Sequence, residues 1–134
     1  MANALYGKGK EKLLTAAIDL SSDTIKVALL TSAYSPNLST DEFHSTIAAY
    51  IVGTPQTLAS KTITLGVFDA ADITYAAVTA GSTVSRLAIY KDTGLSASSP
   101  LLALIDTITG FPLATNGGDI QVVWDSGANK IFSL

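Results

Sequence analysis

The chain has no cysteine, one histidine, one tryptophan, one methionine and four prolines in 134 residues. Without thiols there is no disulfide framework, thiol nucleophile, iron–sulfur cluster or thiolate zinc site. Charge is scarce too: Asp, Glu, Lys and Arg make up 14% of the chain, against about 25% in ordinary globular domains. Eight basic residues face 11 acidic ones, for a net charge of -3. Such a surface has no long-range field to gather phosphate backbones or anionic lipid, so nucleic acid and membrane are not expected partners. Long apolar runs are missing as well, and no stretch approaches the ~20 residues of a membrane-spanning helix. The run from Leu13 to Ile18, which follows Lys8, Lys10 and Lys12, stops at Asp19 and is too short for a signal-peptide core. A soluble protein without an export signal is expected. Internal repeats, charge blocks and low-complexity tails are absent.

What the chain does have is a hydrophobic fraction of 48%. At this length one core can form without a staple, because about two-thirds of the unfolded surface can be buried. The reading is a single β-rich domain over 1–134, with 1–20 as an amino-terminal arm or helix and 21–134 as an antiparallel β-sandwich or barrel. Residues 3–18 read as a helix, since Leu13 and Ala17 share a face, although Gly7 and Gly9 each cost about 1 kcal/mol there. Ile25, Val27 and Leu29 alternate with Lys26, Ala28 and Leu30, and both faces are apolar enough for a central strand. Pro36 forbids such a strand over 34–38. Ser39 or Thr40, followed by Asp41 and Glu42, suggests a second short helix over 40–49 with Phe43 and Ile47 on one side. Residues 50–53 form a strand closed by Pro55. Further strands are expected over 61–67, 72–78, 84–91, 101–108, 119–125 and 129–134, the last two joined as a hairpin through Asp125 to Ala128. No crossover helix separates these runs, so the sheets should be antiparallel. The loop 92–100, rich in Ser and Thr and ending at Pro100, is expected to be exposed and used for contact.

Motifs that carry chemistry are weak. His44 sits beside Asp41, Glu42 and Ser45, but neighbours one apart on a helix do not face each other, and an exposed polar histidine is the plainer reading. Asp69 with Asp72, and Asp19 with Asp23, are spaced to bond the backbone of their own turns, without the oxygen pattern of a calcium loop. Gly7-Lys8-Gly9-Lys10 lacks the spacing of a phosphate loop, and Asn116-Gly117-Gly118-Asp119 suits a tight turn. Tyr6, Tyr34, Tyr50, Tyr75, Tyr90 and Trp124 are scattered, so most belong to the core, with Tyr34 in a polar loop the best contact residue. No cofactor, metal or catalytic residue is expected.

The segments ALYGKGKEKLL, DTIKVALL at 23–30, GVFDAADITY at 66–75, IYKDTG at 89–94 and the terminal NGGDIQVVWDSGANKIFSL are together similar to a family of small virion proteins of tailed bacteriophages. The similarity runs from end to end and is most specific in the last segment. It implies a particle component located in the virion, assembled in the bacterial cytoplasm, with no chemistry of its own. Two placements compete: a capsid decoration (cement) protein on the outside of the head, and a tail- or fibre-associated component. A compact domain of low charge, without heptads or a shaft repeat, suits decoration, with the major capsid protein as partner and a homo-oligomeric state. Candidate docking residues are Asn3, Leu5, Tyr6, Lys8, Lys10 and Lys12 in the amino-terminal stretch, then Tyr34, then Thr93, Ser96 and Pro100. That stretch reads equally as a docking arm, removable without harm to the fold, and as an ordinary helix packed on the sandwich. A small glycan-cleaving enzyme using Asp69 and Asp72, and a glycan-binding fibre module using Tyr34, are the other readings.

Overall fold

A computed structural model describes residues 3–106, 108, 110–128 and 130–134. Its elements in chain order are β1 (Ala4–Leu5), α1 (Gly7–Leu14), β2 (Ile25–Thr31), β3 (Ile51–Thr57), β4 (Thr62–Thr64), β5 (Val67–Asp69), β6 (Ile73–Tyr75), β7 (Thr83–Lys91), β8 (Leu101–Ile105), β9 (Leu113–Ala114), β10 (Ile120–Val122) and β11 (Phe132–Ser133). The main sheet runs β1-β8-β7-β2-β3, with β9 also paired to β7, and every pairing is antiparallel. Two smaller sheets, β10-β6 and β11-β5-β4, complete the β architecture. The expected class, a mainly β antiparallel domain of sandwich type, is what the chain adopts.

Both faces of the main sheet are covered, and that follows from the sequence of its inner strands. In β2, Ile25, Val27 and Leu29 enter one core, while Ala28 and Leu30 enter a second. β8 reads Leu-Leu-Ala-Leu-Ile and is buried at all five positions. The first core lies between the main sheet and the smaller sheets, bringing in Phe68, Ile73, Tyr75, Ile120, Val122 and Trp124. The second lies beneath the 34–50 loop and holds Tyr6, Tyr34, Ile47 and Tyr90, whereas Leu5 and Leu13 of the amino-terminal segment pack against the first.

Several boundaries differ from the sequence reading. The 3–18 helix is only Gly7–Leu14, because Ala4 and Leu5 pair with Leu104 and Ala103 as an edge strand and Tyr6 remains extended. It stops where Ala16 turns left-handed (φ 62°) and the amides of Ala17 and Ile18 both donate back to the Lys12 carbonyl. The 40–49 helix is replaced by two 3-10 turns, His44–Thr46 and Ala48–Tyr50. Its expected first-turn acid is engaged elsewhere: the Asp41 carboxylate accepts from Tyr34 and from the Asn37 amide, and Phe43 is extended in a bridge to Pro100. Pro55 does not close a strand but lies inside β3, an edge strand, where the register to β2 slips.

The 61–67 run is two strands, β4 and β5, separated by the two-residue turn Leu65-Gly66. The carboxyl-terminal hairpin does not form. β10 pairs with β6, β11 pairs with β5, and the Trp124 amide and indole nitrogen donate to Asp72 and to the Ala71 carbonyl, so the 120–124 stretch follows β6 instead. Thr107 of the 101–108 run and Asn129 of the 129–134 run lie outside the described residues.

Candidate docking surface

The amino-terminal stretch is built into the sheet. The Tyr6 amide donates to Leu102 and the Gly7 amide to Leu38, and α1 then lies directly on β8. Gly9 makes this approach possible: a Cβ there would stand 2.7 Å from the Leu101 carbonyl oxygen and 2.9 Å from the Leu102 Cα. The Gly-Lys-Gly-Lys run is thus a packing device, and of the two readings the packed helix describes this segment. Removing it would strip an edge strand and a buried tyrosine from the domain, so the expectation that the fold survives without it is corrected.

The three lysines point away from that contact. Lys8 pairs with Glu11 at 3.2 Å, and Lys12 pairs with Glu42 at 2.9 Å while lying over the Phe43 ring. Lys10 is exposed and forms neither kind of contact among the described residues. Asn3, also exposed, accepts from the Asp106 amide, and Leu5 is half-buried.

Tyr6 and Tyr34 are 0% and 2% exposed, which withdraws both from any contact surface. Each hydroxyl has one proton. Tyr34 donates to Asp41 at 2.6 Å, so in the 2.9 Å contact between the two hydroxyls Tyr6 is the donor. Arg86 of β7 reaches the Tyr34 carbonyl. Burial pushes the Tyr6 phenol up to about 12, and burial followed by the Asp41 bond raises Tyr34 further. Polar sequence around Tyr34 suggested exposure; the signal of burial is its neighbour Asp41, which satisfies an inward-turned hydroxyl.

Thr93 and Ser96 are exposed, as expected, whereas Pro100 is buried against Phe43. The loop is zipped to residues 42–44 by the His44 amide donating to Ser99 and the Leu101 amide donating to Glu42, both at 2.8 Å. His44 is therefore less exposed than its sequence suggests. Its ring lies 4.7 Å from that of Tyr90, its Nδ1 is 2.7 Å from Ser96 Oγ, and burial lowers its pKa below the ordinary value. Beside it Lys26 pairs with Asp92 at 2.9 Å, and this bond holds the Asp92 carboxyl below its usual range. The His44–Ser96 contact joins two loops across 52 positions, and Ser45 takes no part in it.

Three of the candidates, Asn3, Leu5 and Lys10, come together with a region the residue reading had not singled out for docking. They line an open groove of about 1360 Å³ with Ala103 and Ile105 of β8, the 123–126 stretch and the 130–134 stretch. Val123 and Leu134 are 53% and 72% exposed there, and Lys10, Asp125 and Lys130 carry the charge. β1 borders the groove with its outer side, since among the described residues it pairs only with β8. The missed signal was alternation: in Val122-Val123-Trp124 the outer valine faces away from the core between two buried neighbours.

The remaining motifs are structural. Asp19 accepts from the amide and hydroxyl of Ser21, and Asp23 from the Asp19 amide and from Lys91, which lower both carboxyls. Asp72 does not bond its own turn but the distant Trp124 amide. Asn116 and Asp119 cap the turn beside Val78. Among the described residues no group of three or more His, Cys, Asp or Glu is arranged to hold a metal. No helix among them is long and apolar enough to cross a membrane. No protein-family model matches the chain, and no curated protein matches it.

Proposed function

We propose that this chain is a structural protein of a tailed-bacteriophage particle, a decoration protein that binds the outside of the head and stabilises it mechanically. The observation that carries the reading is where the most family-specific segment lies. The NGGDIQVVWDSGANKIFSL stretch is not spent wholly on the core but contributes Val123–Ser126 and Lys130–Leu134 to the open groove. A groove of mixed apolar and polar side chains, bordered by a strand edge without a second strand partner among the described residues, offers a neighbour both side-chain contact and backbone hydrogen bonds. Many copies, each burying modest area across capsomer junctions, add binding free energy that opposes the pressure of packaged DNA.

The test is a density map of the intact particle with this chain fitted and its copies counted. Copies in the hundreds on the shell, with the groove or the 93–98 loop against the capsid protein, support the reading. A small ring at the tail replaces it with the tail-associated alternative, and absence from the particle overturns both.

A further inference from the structure

We infer that the groove is the interface between two copies of this chain, related by a twofold axis, with the β4–β5 hairpin tip of each copy seated in the groove of the other. The inference does not rest on the virion reading and can be tested on the isolated protein.

The argument starts from Leu65. The β4–β5 loop has two residues, and both are left-handed, Leu65 at φ 51° and Gly66 at φ 78°. Such a turn favours Asn-Gly, because asparagine and glycine enter this region at low cost and a branched aliphatic side chain does not. Here the first position is a leucine, and it is 97% exposed. A side chain that costs backbone energy and buries nothing within its own copy gains its return from something outside it. Ile63, 51% exposed on the free edge of β4, adds to the same tip.

The tip adjoins the groove. The Leu134 amide donates to the Gly66 carbonyl at 2.9 Å, so the hairpin begins where the groove wall ends. Of the six large apolar side chains exposed among the described residues, four (Ile63, Leu65, Val123 and Leu134) belong to the tip or the groove. A protrusion beside a recess on one face is self-complementary under twofold rotation, since each protrusion then enters the other recess. Charge agrees with this. The groove carries Lys10, exposed and without an ion pair among the described residues, Asp125, and Lys130, whose amine donates to the Ser126 carbonyl of its own loop; a twofold copy can set the Lys10 of one molecule against the Asp125 of the other, twice. The free edges of β1 and β4 are covered in the same step.

The full chain is examined by sedimentation equilibrium from about 1 μM to about 1 mM. A concentration-dependent dimer is expected. Leu65→Asn should weaken it at least tenfold without lowering the melting temperature, because asparagine suits the left-handed turn better than leucine. Lys10→Glu and Asp125→Lys should each weaken the dimer, and the double variant should recover most of the loss. A monomer at every concentration overturns the proposal and leaves the groove to a different partner. A dimer indifferent to Leu65→Asn, or a double variant no better than the singles, places the contact elsewhere and overturns it equally.

Discussion

The two faces of the main sheet are held by different means. The face toward the smaller sheets is filled by aliphatic and aromatic side chains whose few polar atoms find local partners, such as the Tyr75 hydroxyl donating to the Val27 carbonyl at 2.7 Å. The face beneath the 34–50 loop is smaller, carries three of the buried tyrosines, and is tied by the Tyr6–Tyr34–Asp41 chain and by Lys12–Glu42 at its margin. The first face tolerates imprecise geometry as long as volume is kept, whereas the second needs particular donors and acceptors in register. The amino-terminal segment bridges the two: Tyr6 enters the second core, while Leu5 and Leu13 pack against the first. Its attachment therefore combines apolar burial with the close backbone contact at Gly9 and one polar chain.

Cutting volume from the first face should have the largest effect. Phe68→Ala removes a ring that is 1% exposed and packed at 5.3 Å from Phe132, with an expected loss of about 4 kcal/mol in chemical denaturation. At the amino-terminal segment the comparable blow is an addition. Gly9→Ala sets a methyl carbon against the backbone of Leu101 and Leu102, and should cost about 2 kcal/mol despite alanine's better helix propensity. Hydrogen exchange should show the loss concentrated in β1 and α1; uniform loss across the sheet would contradict the division into two faces.

A subtler probe is Tyr34→Phe, which keeps the ring and removes the hydroxyl joining Tyr6 to Asp41. It leaves the Tyr6 proton and the Asp41 carboxylate each short of a partner, and should cost about 2 kcal/mol where an exposed tyrosine would cost almost nothing. Alkaline pH probes the same groups without a substitution. Burial raises Tyr6 and Tyr90 to about 12 and pushes Tyr34 and Tyr75 higher still. A folded pKa above the unfolded value means that the contribution is complete below the unfolded value of 10 and is lost as pH rises from there through about 12. The tyrosinate absorbance of the native chain should thus lag that of the urea-unfolded chain above pH 10, and the fold should give way in one step with the lag.

The long strands were legible because their patterning is local. β2, β7 and β8 carry five to nine residues each, with apolar residues on one or both faces, and no competing interaction changes their reading. The short elements were not, because tertiary partners decide them. Asp41 would favour the first turn of a helix in isolation, but it accepts from the buried Tyr34 hydroxyl, and the expected helix is two 3-10 turns. Leucine at the β4–β5 turn hides a hairpin that asparagine would have announced. Asp125 to Ala128 look like a hairpin loop, yet Trp124 is already bonded to Asp72 and Ala71, and the chain crosses to β5 instead. Of the candidate docking residues, Asn3, Leu5 and Lys10 line the groove while Tyr6 and Tyr34 are buried, since nothing local in the sequence separates an exposed tyrosine from one whose hydroxyl is satisfied inside.

The most direct test of the clamp reading is the temperature at which particles release their DNA, measured on matched particles with and without this chain. The reading predicts release at a lower temperature without it, and recovery when the purified protein is added back. Identical release temperatures in the two preparations would contradict it.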